Sequence, residues 1–153
     1  LEFRRVLFRS GVFLHLLAQQ GLEDRFVVDS AGTGGWHVGA APDRRMQAAA
    51  ARRGIHLPSR ARQLELGDLS SFDRILTMDD DNLRNVKALA RELGNRAGLA
   101  RIEPMTSHCR RHQATDVPDP YYGGEQGFEH VLDLLEDACA GLLDTLLEQE
   151  RRR

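Results

Sequence analysis

Short apolar runs alternating with segments of helical spacing constrain this chain more than any other feature. Val6-Leu7-Phe8, Phe26-Val27-Val28, residues 73–78 around Ile75 and Leu76, and residues 99–102 each suit a buried strand. Helical patterns lie between them. Val12, Phe13, Leu16 and Leu17 share a face that Gly21 closes, and the alanine-rich residues 43–53 end at Gly54. Leu83, Val86, Leu89, Ala90 and Leu93 form a third face stopped by Gly94, with Asp79, Asp80 and Asp81 where a helix dipole favours negative charge. Phe128, Val131, Leu132, Leu135, Cys139, Leu142, Leu143 and Leu146 make a long amphipathic helix, with charges at Glu129, Asp133, Glu136 and Asp137. Strands alternating with helices predict an α/β fold with a parallel sheet covered on both faces.

The chain has 153 residues, one domain's worth at about 100–200 residues each. No apolar run approaches the roughly 18 residues of a membrane-spanning helix, so no membrane partner is expected. With 21 basic and 23 acidic residues, the net charge of -2 argues against an electrostatic grip on nucleic acid. Two cysteines, Cys109 and Cys139, frame neither a disulfide scaffold nor a four-ligand metal site, and a reduced cytoplasmic protein is the simpler reading. His37, His56, His108 and His112 make no helical metal pair, so neither metal nor cofactor is expected. Residues 1–10 read differently from the rest, with Arg4, Arg5 and Arg9 crowded around residues 6–8. They lack the apolar stretch of a secretory signal, and are read as a foreign or truncated leader that supplies a substitute first strand. Residues 11–153 form the domain, the arginines at 151–153 being a frayed tail.

Val117-Pro118-Asp119-Pro120-Tyr121-Tyr122-Gly123-Gly124 carries the most chemical information. Two prolines force extended or turn geometry on either side of Asp119, holding a carboxyl on a stiff loop beside two aromatic rings. A lone Asp-Pro is usually a surface turn, but loop aromatics commonly have something to bind. This stretch follows, in order, Asp29-Ser30-Ala31-Gly32-Thr33 with Trp36 downstream, Ala61-Arg62-Gln63-Leu64, and Met78-Asp79 with Asn82-Leu83. Together these motifs, spread from Gly11 to about Glu150, resemble the low-molecular-weight protein tyrosine phosphatases.

The resemblance implies a single-domain three-layer sandwich on a four-stranded parallel sheet. It further implies metal-free hydrolysis of phosphotyrosine through a phosphocysteine, the partner being a phosphotyrosine-containing protein or an aryl phosphate. Asp119 matches the general acid, which protonates the leaving phenolate and then activates water. Tyr121 and Tyr122 match one wall of the substrate slot and Trp36 the opposite wall, although Trp36 is equally compatible with core packing. Ser30 matches a serine that supports the phosphate loop by hydrogen bonding, its bland alternative being a strand-end turn residue.

The family's loop of the form C-x-x-x-x-x-R-S/T, whose cysteine is the nucleophile, has no counterpart ahead of Gly11. Arg9-Ser10 matches the loop's end, but the residues that separate it from the helix are absent, so Arg9 is read as a chance match rather than a phosphate contact. Six places beyond Cys109 stands Thr115, and six beyond Cys139 stands Thr145, so neither supplies the arginine. Cys139 falls on an apolar helix face and reads as a core thiol. Cys109, beside His108, Arg110, Arg111 and His112, reads as part of a solvated basic loop, with a reactive low-pKa thiol as the alternative. The chain as written is therefore expected to be catalytically dead. Alternatives are a non-catalytic phosphotyrosine-binding or regulatory remnant and, less favoured, an arsenate reductase-like protein, which needs a relay of further cysteines.

Overall fold

The computed structural model describes residues 4–7, 11–29, 31–32, 44–56, 62–94, 98–118 and 124–152. Four parallel strands, β1 (Arg4–Leu7), β2 (Phe26–Asp29), β3 (Arg74–Thr77) and β4 (Arg101–Pro104), form one sheet in the order β2-β1-β3-β4. Among the described residues the α-helices are α1 (Gly11–Gln19), α2 (Arg44–Arg52), α3 (Asp68–Ser71), α4 (Asp80–Glu92) and α5 (Gly124–Arg151). Short 3-10 turns span Glu23–Arg25 and Met105–His108.

Neighbouring residues of β3 point to opposite faces, as strand geometry requires. Leu76 joins the larger core, built from Phe13 and Leu17 of α1, Ala49 and Ala50 of α2, and Phe128, Leu132, Leu142 and Leu146 of α5. Ile75 joins the smaller one, with Leu69 of α3 and Val86 of α4. The three-layer α/β sandwich with helices on both faces is thus the observed architecture. Phe13 meets Phe26 edge to face, with ring centroids 5.9 Å apart, fixing α1 across β2.

Sequence punctuation sets the helix ends. At Gly21 and Gly54 the backbone takes φ of 67° and 75°, a region open to glycine without strain. Each closes its helix with paired bonds: Leu22 N–H to Leu17 O and Gly21 N–H to Ala18 O, then Ile55 N–H to Ala50 O and Gly54 N–H to Ala51 O. Asp79 caps α4, its carboxylate accepting the Asn82 N–H at 2.7 Å.

Three boundaries differ from expectation. The first strand ends at Leu7, with Phe8 outside the described residues. β4 runs Arg101–Pro104 rather than over 99–102, because the Ala100 N–H is drawn aside to Leu69 O and ladder pairing starts with Arg101 opposite Arg74. Pro104 is tolerated there because β4 is an edge strand. α5 continues to Arg151, so the first of the three arginines is helical and Arg152 follows it in a turn.

Candidate active site

All four strands are parallel, so their carboxyl ends share one edge of the sheet. The chain goes from β1 outward to β2, then returns to β3 on the other flank. In such sheets ligands bind outside the carboxyl ends where the winding reverses. Here that point lies between β1 and β3, with Leu7 flanked by Asp29 of β2 and Ile75 of β3. α1 starts at Gly11, shortly after β1.

Two segments converge on this edge. Behind β3, Met78 O accepts the Val117 N–H at 2.7 Å, tethering the chain two residues ahead of Asp119 to the strand end. Behind β2, the Arg62 Nε donates to Asp29 at 3.0 Å. Its two terminal nitrogens grip Asp68 at 2.9 and 3.1 Å. Burial disfavours the Asp68 charge, yet the Arg62 guanidinium and the Glu65 N–H outweigh it and hold the carboxyl below its usual range. Gly32 and residues 62–64 exchange backbone bonds: Gly32 N–H to Arg62 O and Leu64 N–H to Gly32 O, both 2.8 Å.

Asp119, Tyr121, Tyr122, Trp36, Ser30 and Arg9 lie outside the described residues, as does Ser10. What is described are their neighbours: Asp29, Ala31 and Gly32 around Ser30, and Val117 and Pro118 ahead of Asp119. Sequence reasoning quoted Arg62 without giving it a role and passed over Asp68. Nothing in their spacing advertises the pairing, because Asp29 and Arg62 stand 33 positions apart.

Thr77 closes β3 at this same edge. It is buried, and its hydroxyl has no partner among the described residues. An unpartnered buried hydroxyl contributes nothing that a methyl cannot. Thr77→Val is expected to leave stability within about 1 kcal/mol of the parent or raise it. Denaturant unfolding checks this, and a loss above about 2 kcal/mol contradicts it.

The stretch before the Asp119 loop exposes Arg110 and Arg111 to solvent, as a basic loop should, but its backbone is pinned. Asp137 of α5, its side chain 6% exposed, accepts the backbone N–H groups of Arg110, Arg111 and His112 and the His112 Nδ1 at 2.7–3.0 Å. Burial opposes its charge, but these donors prevail and hold the carboxyl at about 2. Cys109 packs against the main core, its Sγ 3.7 Å from Leu134 O. Burial and the Asp137 charge push its thiol up to about 11, against the less favoured alternative of a reactive low-pKa thiol. Cys139 is fully buried among the α5 leucines, with burial raising its thiol as well.

Because the folded pKa of Asp137 is depressed, its stabilisation is complete above the unfolded carboxylate range of about 3.9 and disappears as pH falls through about 2. Asp137→Ala removes the acceptor of three backbone N–H groups, two of them on exposed residues that water can reach, and about 1–2 kcal/mol should be lost at neutral pH. Urea melts of parent and variant should converge towards pH 2; a gap that widens in acid would contradict this assignment.

The matching family model, low molecular weight phosphotyrosine protein phosphatase, spans residues 5–152. The chain is 46% identical over 128 residues to a relative from Synechocystis sp., covering 84% of this chain and 80% of that protein. It superposes on a protein tyrosine phosphatase from Entamoeba histolytica with a TM-score of 0.85 at 31% identity, covering 97% and 99% of the two chains. Bacillus subtilis YfkJ gives 0.84 at 34% identity, with 97% of each chain covered. With the fold, the tethered loop and these likenesses together, the chain belongs to the low molecular weight phosphotyrosine protein phosphatase family.

Proposed function

We propose that this chain carries the substrate-handling and proton-transfer half of a phosphotyrosine phosphatase, and that its 153 residues do not themselves turn over. The observation that carries the reading is the Val117–Met78 hydrogen bond, which draws the chain just ahead of Asp119 to the winding reversal, where this family's chemistry belongs. In the reaction proposed for a version that bears the family's phosphate loop, the cysteine thiolate of that loop attacks phosphorus, the S–P bond forms and the P–O bond to the aryl group breaks. Asp119 gives its proton to the departing phenolate. The Asp119 carboxylate then takes a proton from water as the new O–P bond forms and S–P breaks.

In this reading Tyr121, Tyr122 and Trp36 are, by family resemblance, the residues that recognise the ring of a phosphotyrosine, and Ser30 is the residue that would support a family-type phosphate loop. Substrates are phosphotyrosine-containing proteins or aryl phosphates, handled in a reducing cytoplasm. Neither cysteine of the 153 residues heads a C-x-x-x-x-x-R sequence, and Cys109 and Cys139 both have thiol pKa values shifted away from reactivity. Without the nucleophile no phosphoenzyme forms, a loss on the order of 10⁶ in rate for a comparable covalent enzyme.

The test is hydrolysis of an aryl phosphate by two proteins: the chain as it stands, and a version with a family-type C-x-x-x-x-x-R-S loop inserted ahead of Gly11. The first should stay at background and the second should turn over. A folded but inactive loop-bearing version would overturn the phosphatase reading. Turnover by the 153-residue chain would overturn its assignment as inactive.

A further inference from the structure

Family resemblance gives Ser30 its role, but a hydroxyl can support a loop only if its own backbone is held still. A misplacement of about 1 Å at a reacting centre can cost on the order of 10² in rate. The residues around Ser30 have a specific anchor. On one side, Asp29 ends β2 opposite Leu7 of the central strand and accepts the Arg62 Nε at 3.0 Å. On the other, Gly32 is bonded in both directions to the backbone of residues 62–64, at 2.8 Å each. Arg62 itself is fastened from behind by a two-point grip on Asp68, which lies in the first turn of α3 and also accepts the Glu65 N–H at 2.8 Å.

We propose that Arg62 is a positioning residue of the active site: one guanidinium joins the end of β2 to α3 and, with its own backbone, fixes Asp29 and Gly32 beside the exit of β1. The arrangement needs an arginine. A planar fork can present two parallel N–H groups to Asp68 while its Nε reaches Asp29, whereas an ammonium is a point charge on a flexible stem and satisfies one carboxylate at a time. The carboxylates are not equivalent. Asp68 is buried and Asp29 half exposed, so the Asp68 half is the anchor and the Asp29 half is the part it directs. The catalytic part of this inference rests on the phosphatase reading; the anchoring part does not.

Two measurements separate them. In the 153-residue chain, Arg62→Ala should speed amide hydrogen exchange at Gly32 and Leu64 by about tenfold or more, the scale of a lost charge-assisted bond. Amides in the middle of α5 should keep their rates. Arg62→Lys should fall between the two, and Asp68→Asn, which keeps the shape but not the charge, should resemble Arg62→Ala. If one of these variants fails to fold, the others carry the same comparison.

In the loop-bearing version, Arg62→Ala should lower kcat about tenfold or more with KM within about twofold, and Arg62→Lys should recover part of it. Unchanged Gly32 exchange in folded variants overturns the proposal. So does faster exchange with unchanged kcat, which leaves Arg62 a purely structural residue. If the loop-bearing parent is itself inactive, the phosphatase reading fails separately. Exchange at Gly32 and Leu64 then decides whether Arg62 is the anchor.

Discussion

Asp119→Ala, placed in the loop-bearing version, should lower kcat on an aryl phosphate by about 10²–10⁴ while KM barely moves, the span typical of a lost general acid. A phenolate is a poor leaving group at neutral pH, so its departure depends on a proton arriving as the P–O bond stretches. Phosphate binding makes no such demand, which is why the loss should appear in kcat. The deficit should shrink as the leaving phenol becomes more acidic, since a better leaving group needs less help. The same change should remove the fall in kcat at high pH that comes from ionising the acid. A uniform deficit across leaving groups would mean that Asp119 shapes the pocket without moving a proton, and would sink its assigned role.

Gly141→Ala should destabilise the chain through a clash at the surface of α5. A Cβ built at this position lies 2.0 Å from the His108 carbonyl oxygen and 3.1 Å from its carbonyl carbon. Those are backbone atoms in a segment held on every side. The His108 ring bonds Glu103 at 2.8 Å, the Cys109 N–H reaches back to Thr106 O, and the next three N–H groups sit on Asp137. Alanine favours a helix interior over glycine by about 1 kcal/mol. Overpacking costs up to about 3 kcal/mol and should dominate here, leaving a net loss of about 2 kcal/mol. For a chain of this size that lowers Tm by about 4–8 °C, measurable by circular dichroism. An unchanged or raised Tm would show that the 105–108 turn can slide along α5.

Much of this architecture could be read from the residues. Apolar runs announced the strands, and glycines at 21, 54 and 94 marked helix ends that the backbone then closed with positive φ. α3 escaped because four residues are too few to show a period. Glu129, Asp133, Glu136 and Asp137 read only as the polar side of α5. In the fold the first three surround Arg53 from the end of α2, and Asp137 gathers the 110–112 bend. Which charges would be joined was hidden because each partner lies on a distant segment brought close only by folding. The site divides the same way. Its order of motifs is legible along the chain, whereas the Arg62 link depends on β2 and α3 already standing side by side.

The strand order β2-β1-β3-β4 has a consequence for how the molecule is made. β1 leaves the ribosome before either partner, gains β2 after a short interval, and waits for residues 74–75 before its other flank is covered. At roughly 5–20 residues per second that wait lasts seconds, long compared with hairpin or helix formation. During it a strand destined for the centre of the sheet offers an open edge to any nascent neighbour. Yield of native protein should therefore depend on translation speed through the β2–β3 interval more than on final stability.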